Sequence, residues 1–562
     1  MSKWLWYSAG AILFLSYGYT EMQGSDLWWH IAAGREILQT KTLWMADDWS
    51  FSSHGAIWRN HEWLADIVYY GWAHALGVAS LVYWKWLVVI ATFAILQQVC
   101  HRISGSFAAS LVCAGVAIAI AAPFIDVRPH LYTLLCFSVL LLLLLNRQPV
   151  LWKLALLFVV WVNLHGGFFF GLMALGILIF PWRDFSLETF KPAFLIGLAC
   201  AAVCLLNPSG IHNFLYPLTY AFDSSSPFKT LGEWLPPSEE GGIRSPNFFW
   251  AQYIAPLIAL AYLVPFVRRA VGIPWEGIAL TALTLAMAIT SRRFIPLFAM
   301  SMAVMSAPLL GLLLVKLNEE KTSIGLGVAA LCFALYRLMP YPLSSGAAYH
   351  YLTAEYTYPI DMVDFMQANN IKGNVYALYN WGGYLHWRTD GALKVFIDGR
   401  ADTIYNAETY LGYVDVLRNV PGWLGQIERS GAEYVLWPNV GYGGSRKGNE
   451  LIKSGRWQFI YQDSVSFLMA KKPLVKDAEY IPAPVTPYTH LGLARLQAMQ
   501  GNYESAVALA TQTREAIPYQ NGACNVLIDS YRALGDLDRA NATIRDCRSY
   551  FPSNHLRREL LD

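Results

Sequence analysis

A dense set of acids, histidines and tryptophans follows the first apolar stretch of the chain. Asp26 lies in the sequence GSDLWWH directly after that stretch, and Asp47, Asp48 and Glu62 follow within forty residues. A carboxylate close to hydrocarbon loses solvation, which raises its pKa unless a cation or a metal compensates. Such a group suits a general base. We therefore predict that Asp26 is a catalytic base, with Glu62 or Asp48 as a second acid.

Cations occupy three positions where membrane topology alone would disfavour them. Arg128, Arg292 and Arg293 lie in very short connections between apolar stretches, on the side predicted to face outward. Guanidinium groups bind phosphate oxygens in bidentate fashion, so these arginines predict a phosphate or diphosphate site. Contacts with lipid headgroups or carboxylates are the alternative. His165, in the sequence NLHGG, is predicted to join this site, although a satisfied core histidine is the alternative for it.

Two runs far along the chain are also unusual. YNWGGYLHW contains Trp381 and Tyr384, and FIDGRAD contains Asp398 and Arg400. We predict that these runs form a loop pair that shapes an acceptor groove on the outer side. The alternative is a strand, turn and helix whose glycines permit close backbone packing.

These side chains would be positioned largely by membrane-spanning helices. The 562 residues are 55% hydrophobic and only 14% charged, more apolar and less charged than an average soluble protein. A span needs about 20 apolar residues, which predicts about eleven helices and a polytopic α-helical membrane protein. They lie near residues 4–20, 78–99, 106–124, 130–146, 150–164, 167–181, 192–207, 249–266, 274–290, 294–315 and 323–339.

The distribution of basic residues predicts the orientation. A cytoplasmic N-terminus puts most lysines and arginines of the short loops beside the inner face, as the positive-inside rule prefers. Residues 1–340 then form a transmembrane domain with a first outer loop at 21–77, and everything after residue 340 lies outside. Trp28, Trp29, Trp44 and Trp58 are predicted to anchor a surface helix of that loop at the membrane interface.

The outer tail has two predicted parts. Residues 341–480 contain short β-rich runs near 374–378, 394–397, 433–437 and 457–471 between helical stretches, which indicates an α/β domain. Residues 481–562 repeat with a period of 34, so that Gly501 recurs as Gly535. This resembles tetratricopeptide repeats, expected to pack on the α/β domain or on a partner. Cys524 and Cys547 are predicted to form a disulfide if the compartment is oxidising.

The membrane part resembles the GT-C class of glycosyltransferases, which includes protein mannosyltransferases, aminoarabinose transferases and oligosaccharyltransferases. The resemblance rests on Asp26 soon after the first span, in a long outer loop with helical segments. It implies that Asp26 is the catalytic acid position. Many members carry an Asp-Glu pair there, whereas Leu27 follows here, so Asp47, Asp48 and Glu62 compete for a second acidic role. The resemblance leaves open whether these acids bind a divalent metal, and it implies no other cofactor.

The run around Trp381 lies where oligosaccharyltransferases carry a Trp-Trp-Asp-Tyr-Gly signature. Gly382 stands at the position of its Asp, so recognition of a glycosylation sequon is not carried over. The resemblance implies an enzyme of a bacterial inner membrane that moves a sugar from a polyprenyl-phosphate donor to an acceptor, protein, glycan or lipid, in the periplasm or outside the cell. Membrane lipids are further partners.

Other functions are weighed against this one. A net charge of +2 gives no support for a nucleic-acid partner. A non-catalytic scaffold that assembles an envelope complex through its repeats is the main alternative. A transporter would place charge at mid-depth in broken helices, and the predicted spans carry almost none.

Overall fold

The computed structural model describes residues 3–550 apart from residues 21, 23, 223–225, 242, 316–318, 339–357, 440, 476–478, 483 and 519. The chain divides into two compact units. The helical unit comprises residues 1–20, 61–68 and 81–338, and the sheet unit comprises residues 21–60, 69–80 and 339–562. Each unit is discontinuous in sequence.

Most of the described residues up to residue 338 are helical. Its elements are α1 (Lys3–Gly18), α2 (Asp26–Thr40), β1 (Met45–Ala46), β2 (Ile57–Trp58), α3 (Trp63–Leu76), α4 (Leu81–Ser104), α5 (Phe107–Ala121), α6 (His130–Leu144), α7 (Leu151–Leu164), α8 (Phe168–Ile179), α9 (Leu187–Val203), α10 (Gly210–Phe222), α11 (Pro246–Ala261), α12 (Pro265–Val271), α13 (Trp275–Thr290), α14 (Ile295–Val315) and α15 (Glu319–Leu338). Each predicted span coincides with one of these helices. Polar connections such as the sequence NLHGG between α7 and α8 therefore lie at helix ends.

Several of these helices are long and apolar enough to cross a membrane. Among the described residues four qualify: Val78–Ser104, Phe107–Phe124, Leu187–Leu206 and Arg292–Leu314. Helices α11 and α12 would make a fifth if they are one span, bent by 83°. Others, including α6, α7, α8 and α13, are apolar but shorter. The chain is thus a membrane protein by its apolar helices, and the count of eleven spans stays a prediction.

The rest of the chain combines a mixed sheet with helices. Its elements are α16 (Ile360–Ala368), β3 (Gly373–Ala377), α17 (Gly382–Arg388), β4 (Leu393–Val395), α18 (Ala407–Leu417), α19 (Trp423–Arg429), β5 (Tyr434–Pro438), α20 (Gly444–Lys453), β6 (Trp457–Gln462), β7 (Ser466–Lys471), α21 (Lys472–Val475), α22 (Pro487–Met499), α23 (Tyr503–Ala516), α24 (Asn521–Ala533) and α25 (Leu537–Tyr550). The strand order is β4-β3-β5-β7-β6. β3 is parallel to β4 and β5, whereas β7 is antiparallel to β5 and β6. The predicted α/β character of this region is confirmed.

The segment before α3 folds onto the edge of this sheet. Ser50 bridges Val395 of the edge strand β4, and Ser52 Oγ donates to the carbonyl of Phe396. β1 and β2 form a small antiparallel pair in the same unit. The sheet unit therefore begins far upstream of residue 341, where the sequence predicted the α/β domain to start.

This packing corrects the prediction of interfacial tryptophans. Trp28, Trp29 and Trp58 are 1%, 7% and 2% exposed in the core of the sheet unit, and only Trp44, at 60%, is an exposed ring. Most of α2 is buried as well. The prediction of a surface helix with four anchors is wrong for these three residues, because hydropathy does not distinguish burial in protein from burial in lipid.

Helices α22 to α25 form two successive pairs. Gly501 and Gly535 adopt left-handed conformations, with φ of 82° and 76°, at equivalent points 34 residues apart. Cys524 and Cys547 form the predicted disulfide between α24 and α25. On the sheet side, Arg495 of α22 donates to the carbonyl of Ser464 at 2.7 Å. The assignment to tetratricopeptide repeats stays a prediction. The part of the predicted second repeat beyond residue 550 lies outside the described residues.

Candidate active site

In the helical unit a carboxylate lies between two imidazoles. Glu62 Oε1 is 3.6 Å from His61 Nε2 and 3.6 Å from His165 Nε2. Glu62 precedes α3, and His165 directly follows α7, so two helix ends bring these residues together. Trp63 Nε1 donates to Asn163 Oδ1 at 2.8 Å and ties the same two ends to each other. Of the predicted residues, the structure thus joins Glu62 and His165.

The other nitrogen of His165 is surrounded by donors. The backbone amide of Gly167 donates to His165 Nδ1 at 2.9 Å, and Thr133 Oγ1 lies 2.7 Å from the same nitrogen. Thr133 Oγ1 also accepts a hydrogen bond from Trp161 Nε1 at 2.9 Å. A Cβ on Gly167 would overlap the Thr133 hydroxyl. Glycine at this position is therefore a condition for the network.

Two of the predicted arginines converge on one acid. Arg128 Nη1 is 2.7 Å from Glu233 Oε2, and Arg293 Nη1 is 3.8 Å from Glu233 Oε1. The Arg293 guanidinium also lies 4.0 Å from the centre of the Trp234 ring. Both arginine side chains remain 28% exposed. We call Arg128 and Arg293 the arginine pair, and Glu233 is the acid on which they converge.

The pKa values of Glu233 and His165 are both lowered in this region. Burial by the surrounding protein would raise the pKa of Glu233, but Arg128 and Arg293 outweigh it and lower the pKa from 4.5 to about 2. Burial lowers the pKa of His165 well below its usual 6.5, and the positive charge of Arg293 lowers it further. At neutral pH Glu233 is therefore a carboxylate and His165 a neutral imidazole.

Arg292 is in a different situation from its neighbour. Its side chain is 1% exposed, and its guanidinium donates to the backbone carbonyls of Pro236, Glu239 and Gly241. Arg292 thus holds the loop that carries Glu233. The three arginines predicted as one group divide into a half-buried pair, Arg128 and Arg293, and the buried Arg292, which anchors the loop.

Asp26 lies in the sheet unit, at the first position of α2. Ser25 Oγ is 3.4 Å from Asp26 Oδ1, and the helix N-terminus favours the negative charge of Asp26. A Cβ on Gly399 would lie 3.3 Å from Asp26 Oδ1 and 2.8 Å from Trp29 Cδ1. Because Gly399 has no side chain, the backbone of the FIDGRAD run passes directly beside Asp26.

The predicted acceptor-side residues are in the core of the same unit. Trp381, Tyr384, Asp398 and Arg400 are each 6% exposed or less. The glycines of YNWGGYLHW permit close packing, because a Cβ on Gly383 would lie 2.8 Å from the backbone nitrogen of Trp29. The glycines of this run are thus closely packed, as the alternative expected, and the acceptor-side role of the run stays a prediction.

Asp47 and Asp48 have opposite surroundings. Asp47 Oδ1 pairs with Arg400 Nη2 at 2.8 Å, and Arg400 also binds Asp398 Oδ2 at 2.8 Å, with all three side chains buried. Asp48 is 69% exposed and pairs with Lys394 at 2.8 Å. Within the described part of the chain, no group of three or more histidine, cysteine or acidic side chains is arranged to hold a metal ion.

Sequence reasoning missed several members of the helical-unit cluster. Glu233 is one acid in a long loop, and its only signal is that it lies on the same predicted side as the outer arginines. Thr133 carries no signal at all, because a threonine inside an apolar helix usually bonds its own backbone. Asp66, fully buried one helical turn after Glu62, was also overlooked.

Neither a family model nor a curated protein matches the sequence. Among solved structures, the fold matches an oligosaccharyltransferase of Archaeoglobus fulgidus with a TM-score of 0.54, over 86% of this chain and 76% of that one. That protein was crystallised with a tethered acceptor peptide containing the NVT sequon. The two sequences are 12% identical, so the likeness is one of fold. The chain therefore has a fold similar to that of a membrane oligosaccharyltransferase.

Proposed function

We propose that this chain is a membrane glycosyltransferase that moves a sugar from a polyprenyl-phosphate donor to an acceptor on the outer face of the cytoplasmic membrane. The observation that carries the proposal is the arginine pair, which converges on Glu233 near the neutral His165 and remains partly exposed. Two guanidinium groups so close together suit an anionic ligand such as a phosphate.

The proposed reaction is a substitution at the anomeric carbon. A hydroxyl or amide of the acceptor forms the new bond to that carbon, and the bond from the carbon to the phosphate oxygen breaks. The electron pair leaves with the polyprenyl phosphate, whose charge Arg128 and Arg293 stabilise. Asp26 takes the proton of the acceptor, and Glu62 is the second acid.

The sheet unit has a positioning role in this proposal. The buried group of Trp381, Tyr384, Asp398 and Arg400 supports α2 and the backbone beside Asp26, next to which we propose the acceptor binds. The residues after 481 are proposed as a further acceptor-side module.

The test is a transfer assay in membranes with radiolabelled polyprenyl-phosphate sugars. Asp26→Asn should reduce transfer by at least about a hundredfold, since it removes the proposed base. Asp184→Asn, a change of an exposed acid in the loop before α9, is the matched control and should be fully active.

Two results would contradict the proposal. Full activity of Asp26→Asn would remove Asp26 from the mechanism. Absence of transfer by the natural, folded chain with any donor would instead support a scaffold that acts through α22 to α25.

A further inference from the structure

The hydrogen bonds around His165 determine which ring nitrogen carries its proton. Gly167 N–H donates to His165 Nδ1 at 2.9 Å. A backbone amide is only a donor, so Nδ1 accepts and carries no proton while this bond is made. In a neutral imidazole the proton is then on Nε2.

Thr133 completes the same network. Its Oγ1 accepts from Trp161 Nε1 at 2.9 Å, and an indole nitrogen is only a donor. A hydroxyl has one hydrogen and two acceptor lone pairs, so the Thr133 hydroxyl hydrogen is not used by Trp161. Because Nδ1 already accepts from Gly167, the Thr133 hydroxyl donates its hydrogen to Nδ1, 2.7 Å away.

The opposite nitrogen faces the acidic side of the cluster. His165 Nε2 is 3.6 Å from Glu62 Oε1, close enough for electrostatic attraction but longer than a hydrogen bond. The Nε2 proton thus points toward Glu62. A ligand oxygen that approaches Nε2 would meet an N–H donor rather than a lone pair.

We propose that Thr133 is a positioning residue, whose hydroxyl, together with the Gly167 amide, fixes His165 as the Nε2–H tautomer so that a neutral imidazole donates to an anionic oxygen of the substrate phosphate. The catalytic consequence rests on the proposed glycosyltransferase function, whereas the tautomer does not. With Arg128 and Arg293 nearby, a neutral donor adds a hydrogen bond without adding a third cation.

Three variants of the full-length protein in lipid nanodiscs separate this role from packing. Thr133→Val keeps the shape of the side chain and removes the hydroxyl, whereas Thr133→Ser keeps the hydroxyl. Thr284→Val is the matched control, because Thr284 is fully buried in the same unit and its hydroxyl bonds only backbone carbonyls of its own helix.

The first readout is the ¹⁵N NMR spectrum of the histidine rings, assigned with His165→Gln. Protonated and unprotonated ring nitrogens have well-separated ¹⁵N shifts. We expect His165 to be the Nε2–H tautomer in the natural chain, in Thr133→Ser and in Thr284→Val, and a mixture of tautomers in Thr133→Val. An Nδ1–H ring in the natural chain, or an unchanged ring in Thr133→Val, would overturn the inference.

The second readout is steady-state transfer. Thr133→Val should lower kcat about tenfold with little change in KM, since the lost interaction acts on the reacting phosphate. Thr133→Ser should restore kcat. If the His165 ring is Nε2–H but the natural chain transfers no sugar, the tautomer is correct and the proposed glycosyltransferase function is wrong. An unchanged kcat in Thr133→Val with an altered ring would overturn the positioning role.

Discussion

The two units each contain a cluster of arginines and acids, and the two clusters are built differently. In the sheet unit, one cation, Arg400, binds two acids, Asp47 and Asp398, and all three side chains are at most 1% exposed. In the helical unit, two cations share one acid, Glu233, and the three side chains are 23% to 28% exposed.

The difference supports the proposal that the sheet-unit cluster is an internal support and that the arginine pair binds a phosphate. The guanidinium of Arg400 is covered by the rings of Trp49 and Trp58, at 4.3 and 5.1 Å, and it also bonds Tyr405. Its bonding capacity is largely used within the protein. Both side chains of the arginine pair are 28% exposed, so an incoming anion can reach them. The two clusters contain the same residue types and differ in their exposure.

The largest expected effect comes from removing the cation of the buried sheet-unit cluster. Arg400→Met should reduce the free energy of unfolding of the sheet unit by about 3 to 5 kcal/mol, because it leaves two buried carboxylates without their cation. Chemical unfolding followed through tryptophan fluorescence measures this loss. A change below about 1 kcal/mol would mean that the cluster is not a support.

Another buried carboxylate of the sheet unit, Asp463, can be compared with Asp47 and Asp398. Backbone amides and a hydroxyl stabilise it in place of a cation. Asp463 accepts hydrogen bonds from the amides of Met362, Val465 and Ser466. Burial raises the pKa of Asp463 from 3.8 to about 6. The folded state then binds more protons than the unfolded state between these values, so the free energy of unfolding should fall as pH rises from about 4 to 6.

The linked change is at most about 3 kcal/mol. Unfolding at pH 4, 5, 6 and 7 measures it, with Asp463→Asn as the variant that should remove this part of the pH dependence. An identical pH dependence in Asp463→Asn would show that Asp463 titrates alike in both states.

Substitutions in the arginine pair should change ligand affinity and leave the free energy of unfolding nearly unchanged. Arg293→Met should weaken binding of an isoprenyl-phosphate probe about tenfold, through loss of a charge-assisted contact, and change the unfolding free energy by less than about 0.5 kcal/mol. Arg268→Met, which removes an exposed cation from α12, is the matched control and should bind normally. Equal weakening in both variants would indicate nonspecific attraction to charge.

The smallest expected effect concerns the acid of the arginine pair. Glu233 is a carboxylate at every pH well above about 2, so it competes with a ligand for the arginines throughout the physiological range. Glu233→Gln should strengthen binding of the same probe by about two- to fivefold, as a like charge near the ligand is removed. Weaker binding in this variant would show that Glu233 mainly orients the arginines.

The sequence predicted backbone elements better than side-chain surroundings. The run predicted as a strand at 374–378 is β3 at Gly373–Ala377, because a short continuous apolar run between turn residues is typical of a buried strand. Trp28 and Trp58 were assigned to the membrane surface, since an aromatic ring gives the same signal in either apolar surrounding. Their burial depends on contacts with residues hundreds of positions away.

The sequence predicted some members of the candidate site but not the side chains that surround them. Charge in unfavourable positions identified Arg128 and Arg293, which the structure joins. It did not separate Arg292, because its partners are backbone carbonyls that carry no residue-specific signal. Glu233 and Thr133 were not found, since only the tertiary fold brings them to the cluster.

The pairing of the N-terminal segment with the edge strand of the sheet has a consequence for biosynthesis. Ser52 and Phe396, which are bonded in the fold, are 344 residues apart in the chain. At 5–20 residues per second, roughly 20 to 70 s of translation separate their synthesis. Throughout that interval Asp47 has no Arg400 and Trp58 no complete core, although the first apolar helix has already left the ribosome. The segment that carries Asp26 therefore cannot complete its packing in the sheet unit until the residues around Phe396 and Arg400 have been synthesised.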